Sequence, residues 1–460
     1  MESSFLHVWH WVVGGLAVLV LAIAVGPASA QEPLLDARLD TSVDFPHLLT
    51  FHLEAQAPFV IEEAEVRYSI EQLTCGIGTS TGTAEVSPGT SIDVSWEWDL
   101  RDSGGLPVGA TINYSWVVSG NGQSLETLPE TITFDDPRHD WQMISGKHTQ
   151  ILWYQGNDAF AEDLLNAAER GARQLAETTG VTPAKPVSIR IYDSPAAMQE
   201  TVLFSQEWAG GVAFPRHGVV VMGINTGNLV WGRNAMVHEM THVVLGQSTF
   251  TCGTSLPAWL DEGLAVYNEG PVAPLFSRTL DDAISTDSAF TVRGIAGSFP
   301  TLEDDAILAY AESRSIVAFL IDTYGPKKMN DLLEAFPRLA TIERALEEVY
   351  GFDSVGLQAV WRESVGLPPH LSVTKIEPEP IPTIPALGLP QQQTTPDAES
   401  TPTPTPTPTA TAAAAPTHTP IPTSSGGSGC NRSSADSFGL DGGLIIGLML
   451  SSIIIGRKLV

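Results

Sequence analysis

Between residues 48 and 136, apolar and polar positions alternate in short runs separated by Gly, Ser, Pro and Asn. The runs are LLTFHLEAQ (48–56), EAEVRYSIEQL (63–73), SIDVSWEWDL (91–100), TINYSWVVSG (111–120) and ETITFDD (130–136). A period of two turns one face of each strand to a core and the other to water. That predicts an all-β, immunoglobulin-like sandwich over residues 31–138. The Cys…Trp…Cys pattern of antibody domains is absent, so only the architecture is expected. With no cluster of binding residues in it, a spacer or accessory role fits best.

From Trp141 the pattern changes. HTQILWYQG (148–156) and PVSIRIYDS (186–194) read as strands, and GVAFPRHGVVVMGIN (211–225) reads as a strand pair. DAFAEDLLNAAERGARQLAETTG (158–180) has the period of a helix that stops at Gly180. NAMVHEMTHVVLG (234–246) is also helical, with Gly246 as its expected stop. Helical runs then dominate: AILAYAESRSIVAFLIDTYG (306–325), MNDLLEAF (329–336), TIERALEEVYG (341–351) and SVGLQAVWRESVG (354–366). Residues 141–366 thus predict an α+β domain large enough for its own core.

Both ends read differently. WVVGGLAVLVLAIAVGPASA (11–30) closes an apolar run on Ala28-Ser29-Ala30, which predicts a signal peptide over 1–30. The segment ahead of it carries Glu2 and no Lys or Arg, so an uncleaved anchor is the alternative. Residues 377–436 are rich in Pro and Thr, with TPTPTPTPTATAAAAPTHTPIPTSSGGSG at 401–429. Alternating Thr-Pro supports neither helix nor sheet ladder, so a disordered, extended stalk is expected. Residues 442–455 are uncharged and Arg457-Lys458 follow, as at the cytoplasmic end of a membrane span. That run makes about 21 Å of helix against a hydrocarbon core of roughly 30 Å. A C-terminal transmembrane helix over 438–456 therefore has to include Asp441, and a processed sorting signal is the alternative. Together these segments predict a protein carried across the membrane and anchored at the cell surface.

Charge narrows the function. Acidic residues outnumber basic ones 53 to 23, a formal net charge of −30, which excludes a nucleic-acid partner and fits a solvated acidic surface. Three cysteines, Cys75, Cys252 and Cys430, fall in three different regions and predict no disulfide framework. Cys252 reads as a small buried or capped thiol in preference to a metal ligand. Asn113 and Asn431 head glycosylation sequons that matter only in a host that glycosylates.

The chemistry is concentrated in two stretches. In the helix of residues 234–246, His238 and His242 stand four apart and leave the same face one turn from each other. That spacing lets two imidazoles reach one Zn²⁺. Glu239 is rotated by about 100° from His238 and would stand beside the metal. A third ligand is still needed, and SLPAWLDEGLAVY (255–267) offers Glu262. Ser255 is its expected N-cap and Pro257 lies in the first turn. Trp259 and Val266 pack the Glu262 face, while Asp261 points away. A buried Glu262 without a cation would be costly, and a metal removes that cost.

HEMTH followed by WLDEGLAVY resembles the gluzincin metallopeptidases, in particular the peptidase MA-like domains, with kinship to thermolysin and the zinc aminopeptidases. The resemblance extends over residues 141–366 and includes AGSFP (296–300), AYAESRSIVAFLIDTYG (309–325) and GLQAVWRESVG (356–366). It implies a single catalytic Zn²⁺ on His238, His242 and Glu262, Glu239 as general base, and hydrolysis of peptide bonds in a peptide or protein substrate. A donor to the oxyanion is also required. Tyr310 is the candidate, and Tyr267 a poorer one. The apolar run at 219–222 is the candidate edge strand for aligning a substrate. AGGVAF is not the amine-anchoring motif of the aminopeptidases, so exopeptidase activity is not carried over. A zinc-holding scaffold with a silent peptidase fold is the alternative of another class. His148 and His217 are read as surface or hydrogen-bonded residues, and Glu312 and Arg314 as decoration of a solvated helix face.

Overall fold

The computed structural model describes residues 35–76, 78–203, 210–339 and 341–369. The expected signal peptide, stalk and membrane anchor lie outside the described residues. Among the described residues no helix is long and apolar enough to cross a membrane. By its internal contacts the chain divides into two compact units, one running to Ser255 and one beginning at Leu256.

The first unit opens with eight strands: β1 (Asp36–Asp44), β2 (Leu48–Ile61), β3 (Glu63–Ile70), β4 (Thr79–Ala84), β5 (Gly89–Asp99), β6 (Ala110–Gly120), β7 (Gln123–Glu126) and β8 (Glu130–Phe134). One antiparallel sheet has the order β1-β2-β5 and the other β4-β3-β6-β7, with β8 also on β6. Alternate residues of the two inner faces fill one core: Leu49, Phe51 and Leu53 from β2, Ile112, Trp116 and Val118 from β6. This is the expected sandwich, except that β4 pairs with β3 and not with the β1-β2-β5 sheet, unlike the constant-type immunoglobulin order. Strands β1, β4 and β7 were not expected. TSTGTA and QSLE carry too few apolar residues to show the alternation, whereas DARLDTSVD does alternate, with Ala37, Leu39 and Val43 packed against the core.

The same unit continues with β9 (Gln142–Ser145), β10 (Thr149–Trp153), α1 (Asp158–Thr179), β11 (Val187–Tyr192), α2 (Pro195–Gln199), β12 (Gly211–Phe214), β13 (Val219–Gly223) and α3 (Leu229–Ser248). A mixed sheet has the order β12-β13-β11-β10-β9, parallel at its centre and antiparallel at both edges. Asn157 caps α1 by accepting from the Phe160 N–H at 3.0 Å, and Gly180 ends it in the left-handed region.

The sandwich and the mixed sheet are not beads on a string. Tyr192, Met198, Val212, Val219 and Val221 belong to the same buried cluster as Phe51 and Trp116. The Arg190 side chain, 5% exposed, donates to Asp135 at 2.5 Å. It lies over Gly109, where a Cβ would sit 2.0 Å from its Nη1. The Tyr192 hydroxyl donates to Asp136 at 3.1 Å. Cys75 and Cys252 form a disulfide across 177 residues of sequence. This corrects the expectation that the cysteines lie apart and that Cys252 is a thiol. Pairing at that separation leaves no mark in local sequence.

The second unit is helical: α4 (Ala258–Asn268), α5 (Pro274–Thr286), α6 (Glu303–Tyr324), α7 (Pro326–Leu339), α8 (Ile342–Tyr350) and α9 (Ser354–Ser364). Gly263 lets α4 pass α6 closely, since a Cβ there would meet the Ser313 carbonyl at 2.5 Å and Val317 at 2.7 Å. The solvated face expected for Glu312 and Arg314 is corrected here. Glu312 is fully buried and accepts from the Phe290 N–H at 2.9 Å. Arg314 is half-buried, donates to the Gly270 carbonyl at 3.1 Å and lies over the Tyr267 ring. Helices and mixed sheets together give an α+β protein.

Candidate metal centre

Helix α3 is buried on every side from Ala235 to Leu245, as a helix at the centre of a core must be. It packs on α1, where Gly171 leaves room: a Cβ there would lie 2.8 Å from Val237. The helix does not stop at Gly246, as its sequence suggested, but runs on to Ser248. Gly246 allows close approach to the β12–β13 turn, since a Cβ would be 2.5 Å from Pro215. The Thr249 N–H donates to the Leu245 carbonyl at 2.8 Å and ends the helix.

Four polar side chains lie inside this buried stretch. Thr241 satisfies its hydroxyl on the Val237 carbonyl at 2.7 Å. His238 and His242, 0% and 2% exposed, place their rings 4.8 Å apart at 78°. Glu239, 2% exposed, leaves the helix towards β12: a Cβ on Gly211 would be 2.9 Å from its Cγ and 3.2 Å from its Oε1. The carboxylate is thus on a different side of the helix from the paired imidazoles, as a rotation of about 100° requires.

Helix α4 carries Glu262, fully buried, between Trp259 and Val266, which are buried too. Its first turn is not capped by Ser255. Pro257 holds the N-cap position, and the Ala258 and Trp259 N–H groups donate to the Ala296 and Ile295 carbonyls at 2.9 and 3.0 Å. Main chain beside the AGSFP stretch thus does what a capping side chain would otherwise do. His238, His242 and Glu262 each offer one ligand atom, and these atoms lie within 4.8 Å of one another. Two imidazoles and a carboxylate are donors that zinc accepts. Burying such groups side by side is costly without a cation. The three residues therefore fit a metal ion.

Tyr310 is buried on α6 against Phe276 and Phe299, with ring centroids 6.3 and 5.1 Å away. The run at 219–222 is not an edge: β13 lies between β11 and β12, and the edge strand is β12. Among the described residues β12 pairs only with β13. His148 is half-buried in the loop before β10, where its N–H donates to Glu169 at 2.7 Å. Burial, with Arg216 beside it, lowers the His217 pKa to about 4 and keeps it neutral. Burial pushes Glu312 up to about 8, against the opposing pull of the Phe290 N–H and Arg362. A second group, His52, Glu54 and Asp93, lies on the sandwich with carboxylates 51% and 73% exposed, and reads as a surface ion pair.

Two features of the centre were missed in the sequence. Gly211 leaves the space that Glu239 occupies, and its signal was the Gly-Gly step in AGGVAF. The carbonyls of Ile295 and Ala296 cap α4, and no side-chain motif marks such a role.

The family model of the Peptidase MA superfamily matches residues 167–366. That stretch includes both motif helices and supports a peptidase-like fold. No curated protein matches the chain significantly. Solved structures with some likeness include an exo-β-N-acetylglucosaminidase from Vibrio harveyi, 11% identical, with a TM-score of 0.11, covering 44% of this chain and 36% of that one. A β-glucuronidase 2 from Bacteroides uniformis is 8% identical, with a TM-score of 0.14, covering 45% of this chain and 26% of that one. The chain thus spans about a third or less of their lengths, and scores this low carry no weight for fold or function.

Proposed function

We propose that the protein is an extracytoplasmic zinc-dependent peptidase that hydrolyses peptide bonds with Glu239 as general base. The observation that carries this reading is the buried group of His238, His242 and Glu262 with Glu239 on the adjoining face of one helix. The Peptidase MA match over both helices supports it.

His238, His242 and Glu262 would hold the ion. When bound, zinc supplies Lewis acidity that polarises a carbonyl and acidifies water. Glu239 takes the proton of the attacking water on its carboxylate and passes it to the leaving amine. Its packing against Gly211 fixes where that carboxylate stands. An extended substrate aligns by main-chain pairing along the outer edge of β12, the strand that carries Gly211. The Tyr310 hydroxyl donates to the developing oxyanion. A location beyond the membrane is supported by the apolar segment at the start of the chain and by the Cys75–Cys252 disulfide, a bond of oxidising compartments.

The test is cleavage of a mixed peptide library by the protein and by Glu239→Gln at equal zinc content. Cleavage by the first and not by the second is expected. No cleavage by either, with zinc bound in both, would mean a silent zinc-holding scaffold.

A further inference from the structure

Residues 71–76, which leave β3, meet the mixed-sheet half of the first unit at three points. The Leu73 N–H donates to the Arg216 carbonyl in the β12–β13 turn at 3.0 Å. Lys185, ahead of β11, donates to Glu71 at 2.6 Å. Cys75 is bonded to Cys252 in the segment that leaves α3. Both cysteines are exposed to solvent, and exposed disulfides are the reducible, regulatory kind.

The disulfide is not what holds the sandwich to the sheet. The shared apolar cluster does that, with the ion pair of the buried Arg190 to the half-exposed Asp135 and the Tyr192–Asp136 hydrogen bond. What the disulfide tethers is a short segment, residues 249–255. Thr251 spends its hydrogen bonds within that segment, on Thr254 and Gly253. The segment begins where the helix of His238, Glu239 and His242 ends, and Glu262 follows Cys252 by ten residues.

We propose that Cys75–Cys252 is a redox-controlled clasp on the metal centre. Closed, it fixes the segment between the two ligand-bearing helices. Opened by a dithiol, it lets the segment relax and the centre release its metal faster. One thiolate of the dithiol attacks a disulfide sulfur, forming a mixed disulfide and freeing one cysteine. The second thiol then displaces the other cysteine. Two electrons and two protons pass to Cys75 and Cys252, and the dithiol leaves as a cyclic disulfide. The clasp rests on the zinc reading of the site.

The test uses the full chain loaded with zinc and a phosphine reductant, because dithiols chelate zinc. The phosphine takes its oxygen from water and becomes the phosphine oxide. Zinc release to a chromophoric chelator is followed before reduction, after it and after reoxidation, with the thiols located by alkylation and near-ultraviolet circular dichroism as a check on folding. Reduction should quicken release roughly tenfold, the scale of a lost supporting contact around a metal, and reoxidation should restore the slow rate. The double variant Cys75→Ser/Cys252→Ser should release quickly throughout and ignore the reductant. Limited proteolysis should show faster cutting within residues 249–255 of the reduced form, a readout that needs no metal. Unchanged release and unchanged cutting after both thiols appear would overturn the clasp while leaving the peptidase reading intact. Loss of the circular dichroism signal on reduction would also overturn it, by making the bond a staple of the whole fold. A chain that holds no zinc in either state would overturn the metal centre itself.

Discussion

Gly211→Ala is the smallest change that should separate metal binding from catalysis. The added methyl would stand 2.9 Å from Glu239 Cγ and 3.2 Å from both Glu239 Oε1 and Met222 Cε. Comfortable carbon contacts begin near ~3.5 Å, so something has to yield by about half an ångström. The strand resists, because Gly211 is in register with Met222 of β13. Glu239 is the group left to move. A misplacement on the order of 1 Å costs up to roughly 10²-fold in rate, or about 2.7 kcal/mol of barrier. The expected result is kcat lowered about 10- to 100-fold, with KM little changed and zinc content equal to wild type. Overpacking should also cost stability, about 1–3 kcal/mol. The assay is steady-state hydrolysis of a fluorogenic peptide found in the library screen, with zinc per chain and Tm measured on the same preparation. An unchanged kcat would refute the placement of Glu239 against β12, and loss of zinc with kcat would refute the separation of roles.

Two further perturbations test the helical unit. Gly263→Ala drives a methyl into the Ser313 carbonyl at 2.5 Å, and should lower stability by about 1–3 kcal/mol in thermal unfolding; an unchanged Tm would mean that α4 and α6 are not packed so closely. Glu312 titrates near 4.5 in an unfolded chain and at about 8 where burial raises it, so the native state holds the extra proton between those values and stability falls as pH rises through that window. Glu312→Gln should flatten that slope and raise stability at pH 8 on the order of a few kcal/mol; an identical pH dependence in denaturant titrations would contradict the burial.

Much of the fold was legible because it is written in local periods. Helix α1 shows its period and its stop at Gly180, and the inner strands of the sandwich show their alternation. The misreadings have one physical origin, since each depends on a neighbour distant in sequence. Gly246 resembles a helix stop, yet it is there to clear Pro215. The unbroken apolar run at 219–222 is what an interior strand, buried on both faces, should look like, and β12 beside it is the edge. Glu312 looked like a solvated charge because the sequence does not show the Phe290 main chain that receives it. The disulfide was invisible for the same reason. Of the candidate centre, the i, i+4 histidine pair was readable from helix geometry alone. Glu262 needed the second motif, and the room for Glu239 needed Gly211.

The account turns on whether three residues from two helices hold one ion. Zinc bound per chain, measured by equilibrium dialysis for wild type and Glu262→Ala, tests that most directly. The account predicts about one zinc per wild-type chain and binding weakened at least roughly tenfold in the variant. Undiminished binding by Glu262→Ala would contradict it.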